Sequence, residues 1–105
     1  MHQELLDREI IKYNSLVIDH NTYLVHYDGS KHFIPLKEFM TLSLFTSKPG
    51  RIFTRLEIMD YLGGKREVSD KTIDATIAKL RKRFGGDIIK TLLNRGYGLN
   101  IELVK

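Results

Sequence analysis

Residues 69–84 read Ser-Asp-Lys-Thr-Ile-Asp-Ala-Thr-Ile-Ala-Lys-Leu-Arg-Lys-Arg-Phe. At 100° per residue, Ile73, Ile77, Leu80 and Phe84 fall within about 60° of one another, a stripe that predicts one core-facing side of a helix. Ser69 or Asp70 can cap it, and Gly85-Gly86 ends it, so the helix is expected over Lys71 to Phe84. The opposite face carries Lys71, Ala75, Ala78 and Lys82, with Thr72, Lys79 and Arg83 on one shoulder and Thr76 nearer the core edge. Arg81 lies on the other side, near Asp74. Lysines on such a face suit phosphate oxygens or guanine edges. The two alanines keep the helix slim enough for a major groove, where an alanine methyl can meet a thymine methyl. Lysine and alanine chosen only for helix propensity would give the same letters, so the flanking sequence has to decide.

Upstream, Thr54-Arg55-Leu56-Glu57 has the form of a capping box, opening a second helix that runs to about Leu62 before Gly63-Gly64. A short connector, Lys65 to Val68, joins the two helices into a helix-turn-helix-like pair. Before it, Leu36 to Ser47 is apolar around much of its circumference and predicts a well-buried first helix, stopped by Pro49-Gly50. Downstream, Ile89 to Leu93 and Tyr97 to Ile101 alternate about Asn94-Arg95-Gly96, whose residue types tolerate the positive φ of a tight turn. That hairpin is expected to form a wing over 89–101. An arginine near its tip, Arg95, can enter a minor groove, where negative potential concentrates.

The first third is β. Ile10 to Tyr13, Leu16 to Ile18, Tyr23 to Tyr27 and Lys31 to Ile34 are short strand-like runs. Asp28-Gly29 between the last two is the strongest short hairpin signal in the chain. The fold class is therefore α+β: a winged helix-turn-helix with an N-terminal four-stranded antiparallel sheet, three helices and a C-terminal β-hairpin wing. Residues 1–9 are expected to be a frayed segment and 10–105 a single domain.

Composition narrows the function. The 105 residues are 29% charged and 42% apolar, which suits a soluble globular chain. No apolar run approaches the ~20 residues of a membrane helix. The first residues lack the apolar stretch of a secretion signal, and the chain has no cysteine, which suits a reducing cytoplasm. Residues 1–62 hold 7 Lys/Arg against 8 Asp/Glu, whereas residues 63–105 hold 10 against 5. All the excess positive charge lies with the third helix and the wing, which points to a polyanion partner.

Other chemistry is weakly signalled. His20, His26 and His32 have neither helical i, i+4 spacing nor a thiolate beside them, so no metal site is expected. Asp70 and Asp74 suit a helix N-terminus better than a catalytic pair. Ser43, Ser47 and Ser69 have no histidine in a nucleophilic arrangement. Gly63-Gly64-Lys65 lacks phosphate-loop spacing. Neither an enzyme nor a cofactor is expected. The competing reading is a winged helix that meets an acidic protein surface, but such a patch would usually offer aromatic anchors in place of alanines.

Several ordered motifs carry a resemblance. Glu38-Phe39, then Pro49-Gly50-Arg51-Ile52-Phe53-Thr54-Arg55, then Lys71 to Arg83, and finally Ile89-Lys90-Thr91 with Gly96-Tyr97 together resemble the DNA-binding effector domains of OmpR/PhoB-type response regulators, over about Leu16 to Leu99. The resemblance implies bacterial transcription control through a two-component phosphorelay, with the third helix in the major groove and the wing at the minor groove. It implies duplex DNA as partner, direct repeats bound in tandem, and an N-terminal receiver domain that these 105 residues do not include. Matched to the family's motif, it implies Lys71, Thr76, Lys79 and Thr91 at the DNA; the exposed helix face and the wing tip add Thr72, Ala75, Ala78, Lys82, Arg83 and Arg95 as expected contacts, with Thr54 and Arg55 as candidate phosphate contacts. Lys65, Arg66 and Glu67 fall in the segment that resembles the RNA polymerase-contacting loop, about a residue short of it. Thr76 stands where the family often has histidine, and Lys79 where it often has arginine. Leu93 stands at the wing arginine and Asn94 at the glycine after it, so either Arg95, two residues further on, replaces that minor-groove contact or the contact is missing. Leu62-Gly63-Gly64 replaces a common tryptophan, and Pro35 a threonine that caps the first helix.

Overall fold

The computed structural model describes residues 10–64, 66, 68–102 and 104. The expectations for the segment 1–9 and for Lys65 and Glu67 lie outside the described residues.

Four short strands come first: β1 (Ile10–Tyr13), β2 (Leu16–Asp19), β3 (Leu24–Tyr27) and β4 (Ser30–Phe33). They pair antiparallel in the order β1-β2-β3-β4. Tyr27 faces Ser30 across the Asp28-Gly29 turn, and both turn residues have positive φ, 49° and 84°. That is the type I′ geometry the dipeptide predicts. Alternation sends Leu16, Ile18 and Val25 inward, all fully buried. Tyr23 does not extend β3. It sits at φ 58° in the preceding turn with its ring half exposed, against Phe39.

Helix α1 (Leu36–Ser47) lies across the sheet and buries Phe39, Leu42 and Phe45. Its apolar residues are not all inside: Leu36, in the first turn, is 58% exposed. The core is completed by Thr41 and Thr46, whose hydroxyls donate to the carbonyls of Lys37 and Leu42 at 2.8 and 2.7 Å. Those bonds let a polar residue be buried without an orphan donor.

Helix α2 (Arg55–Tyr61) opens on the capping box. The Glu57 N–H donates to the Thr54 hydroxyl at 3.1 Å and the Thr54 N–H to the Glu57 carboxylate at 2.9 Å. Helix α3 (Asp70–Phe84) is capped by Ser69, whose Oγ accepts from the Thr72 N–H at 3.2 Å. Of its predicted stripe, Ile73, Ile77 and Leu80 are fully inside, while Phe84 at the end is only partly buried, packed against the Tyr27 and His32 rings. Each fully buried side chain contributes about 1.5–3 kcal/mol on leaving water.

The hairpin is β5 (Ile89–Leu92) with β6 (Gly96–Leu99). β6 stops two residues before Ile101. Asn100 turns the chain there, its carbonyl accepting from Val104 at 3.1 Å and its side chain from Glu102 at 3.3 Å. The base of the hairpin is docked on the segment before α2, with Tyr97 and Phe53 exchanging backbone hydrogen bonds of 2.7 and 3.0 Å.

Candidate nucleic-acid interface

The third-helix expectation rests on its exposed face, and that face is present. Lys71, Ala75, Ala78, Lys79 and Lys82 of α3 are exposed, and Thr72 is half-buried at their edge. Among the described residues, none of the three lysines takes part in an ion pair. On the wing, Lys90, Thr91 and Arg95 are exposed as well. A row of free cations separated by methyl groups therefore stands beside a projecting hairpin.

Four of the arginines divide from the lysines. Arg51 pairs with Glu57 at 2.6 Å and lies over the Phe53 ring. Arg55 pairs with Asp74 at 3.0 Å and donates to the Tyr97 hydroxyl at 3.2 Å. Arg81 donates to the Ile89 carbonyl at 2.9 Å and to the Thr91 hydroxyl. Arg83 pairs with Glu38 at 3.2 Å. A planar guanidinium with five donors suits such bracing between elements better than a lysine does.

These contacts engage four of the residues expected at the DNA. Arg83, placed on the DNA-facing shoulder by its wheel position, turns back to Glu38, which is 3% exposed. Arg55, a candidate phosphate contact, is committed to Asp74 and Tyr97. Thr76, expected at the groove, is only 6% exposed, and its hydroxyl donates to the Thr72 carbonyl at 2.8 Å. Thr54 keeps its hydroxyl in the α2 cap. Thr91 remains exposed, with its oxygen accepting from Arg81.

Sequence reasoning missed the brace itself. The Tyr97 hydroxyl donates to Asp74 at 2.8 Å while Arg55 meets both, joining α2, α3 and the wing. Burial first, then the Asp74 carboxylate, holds the Tyr97 phenol above its ordinary pKa. The hydrogen bond to Asp74 likewise raises Arg55. Asp74 and Arg81 are seven residues apart and so share a face of α3, which was a visible signal. Their partners on the wing and α2 were not visible, because only folding brings those segments together.

Removing the Arg83 guanidinium isolates a buried carboxylate. Breaking a fully buried pair costs 3–5 kcal/mol. Arg83 is a third exposed, and the α1 N-terminus partly compensates Glu38, so Arg83→Ala is expected to cost about 2 kcal/mol. A urea melt measures it, and an unchanged midpoint would show that water replaces the arginine.

Three helices, a sheet in front and a docked β-ribbon behind define a winged helix-turn-helix domain. The profile of the family described as "Transcriptional regulatory protein, C terminal" matches residues 30–99. The chain belongs to this family, the effector domains of OmpR/PhoB-type regulators. It is similar to the aerobic respiration control protein ArcA of Escherichia coli, 32% identical over 96 residues, covering 85% of this chain and 40% of that protein. The transcriptional regulatory protein VxrB of Vibrio cholerae is 33% identical over 92 residues, covering 87% and 37%. The chain thus spans about two-fifths of the length of these relatives. Among solved structures, the Klebsiella pneumoniae RstA DNA-binding domain, in complex with the RstA box, superposes with a TM-score of 0.76 at 27% identity, covering 89% of this chain and 98% of that one. The AdeR DNA-binding domain in complex with an intercistronic region gives 0.73 at 25% identity, covering 85% and 97%. Among the described residues, no helix is long and apolar enough to cross a membrane.

Proposed function

We propose that this chain is the effector domain of a bacterial two-component regulator, binding duplex DNA in the cytoplasm by sequence. The observation that carries this reading is the exposed face of α3, where, among the described residues, Lys71, Lys79 and Lys82 form no ion pair around Ala75 and Ala78. In this reading α3 enters the major groove, Thr72 and the alanines meet base edges or methyls, and the lysines take phosphates and guanine edges. The wing, with Lys90 and Arg95, lies along the neighbouring minor groove. Arg66 is exposed in the connector before α3, the segment that would face RNA polymerase. Two copies on direct repeats, joined to receiver domains, would complete the regulator.

Selection from a random duplex pool tests the reading. Recovery of repeats one helical turn apart, about 10–11 base pairs, supports tandem binding, while a pool with no recovered motif would sink sequence recognition. On the recovered site, Lys79→Ala is expected to weaken binding by about 1–3 kcal/mol and to relax preference at one position. Equal weakening on random duplex would reassign Lys79 to a phosphate.

A further inference from the structure

We propose that Leu93 is an apolar wedge: at the tip of the wing it enters the minor groove of the duplex that α3 engages and bends it. The proposal rests on the DNA-binding reading and goes beyond it. Leu93 is 81% exposed and Leu92 45%. Full burial of a leucine contributes about 1.5–3 kcal/mol, so the free domain leaves most of that unrealised at Leu93. Single exposed leucines are common on protein surfaces. What distinguishes this one is its mounting.

The tip turn is closed by the Arg95 N–H donating to the Leu92 carbonyl at 2.9 Å, with Asn94 at φ 60°. Below it, Gly96 and Gly98 lie against the backbone of Phe53 and Arg51 so closely that a Cβ would fall 1.9 and 2.2 Å from their carbonyl oxygens. Arg81 ties β5 to α3. A wedge needs such support, because unstacking a base step costs a few kcal/mol. A loose loop would yield before the duplex did.

Two surfaces could receive Leu93. One is a minor groove. The other is an apolar hollow of about 270 Å³ on a second copy, lined by Tyr23, Phe33, Ile34, Leu36 and Phe39. Charge chooses between them. Lys90 and Arg95 flank the tip and arrive with it, and the hollow's lining holds no acid, whereas a minor groove has phosphates on both walls. Apolar side chains that enter minor grooves kink the duplex by about 20–90°.

The test is end-to-end energy transfer across a labelled duplex with one recovered half-site, saturated with protein. The wild-type domain is expected to bend it by roughly 20–90°. Leu93→Ser should return it toward straight with the salt dependence of binding unchanged, and Leu93→Met should keep the bend. A bend unaltered by Leu93→Ser, or no bend at saturation, overturns the wedge and leaves DNA binding standing. Lost cooperativity between adjacent half-sites, with the single-site bend intact, would seat Leu93 on the second copy and overturn it equally. Failure of the wild-type domain to saturate any duplex at low salt overturns both readings.

Discussion

Gly96→Ala is expected to destabilise the domain by about 4 kcal/mol, at the exceptional end of single substitutions. For a domain this size that lowers the melting temperature by roughly 15–30 °C. Gly96 has φ +145°, and an added Cβ would lie 1.9 Å from the Phe53 carbonyl oxygen. That oxygen is held in place, since it accepts from the Tyr97 N–H at 3.0 Å while the Phe53 N–H donates to Tyr97 at 2.7 Å. No side chain is available to move aside. The only relief is to lift the wing from its seat, which exposes Tyr97 and breaks the Arg55–Asp74–Tyr97 brace. Gly29→Ala is the control. Its φ is +84° and nothing lies within 4 Å of the added atom, so the cost is confined to left-handed backbone, about 1–2 kcal/mol. Thermal melts followed by circular dichroism compare the two. Equal and small shifts would mean that the wing does not sit on the Phe53 segment.

DNA affinity is expected to fall by roughly 10²–10³-fold between 50 and 200 mM salt, for about 4–6 phosphates neutralised at a log–log slope of −0.9 each. Among the described residues, Lys71, Lys82, Lys90 and Arg95 are cations in no ion pair and supply four of these, and Lys79 would add a fifth if it met a phosphate in place of a base. Replacing one phosphate-contacting lysine by alanine should shallow the slope by about 1. Arg83→Ala should leave the slope alone while lowering stability, because its charge is spent on Glu38. Fluorescence anisotropy of a labelled duplex across a salt series gives both numbers. An affinity indifferent to salt removes the DNA reading. A slope that shallows with Arg83→Ala restores Arg83 to the interface.

The elements were legible in the sequence where one local interaction outweighs the alternatives. Asp28-Gly29 specifies its turn through positive φ, and Thr54 with Glu57 caps α2 through groups three residues apart. Ile73, Ile77 and Leu80 mark the inner face of α3 by period alone. Side-chain commitments were legible only in part. Lys79 and Lys82 read correctly as outward because nothing basic is buried without a partner. Arg83, from nearly the same sector of the helix, read the same way and is not free, because Glu38 lies 45 residues earlier in the chain. Thr76 shows the same limit on a finer scale, since its wheel position at the core edge left open whether its hydroxyl faced solvent.

Sequence alone therefore settled the order and type of the elements, the buried stripe of α3 and the basic bias of the C-terminal half, all consequences of neighbours within a few residues or of summed charge. Tertiary structure alone decided which cations are free. An arginine's reach spans several ångströms in any direction, and its partner is chosen by which segments fold against it. The same is true of the wing, whose glycines look like ordinary turn residues until Phe53 and Arg51 are brought up against them.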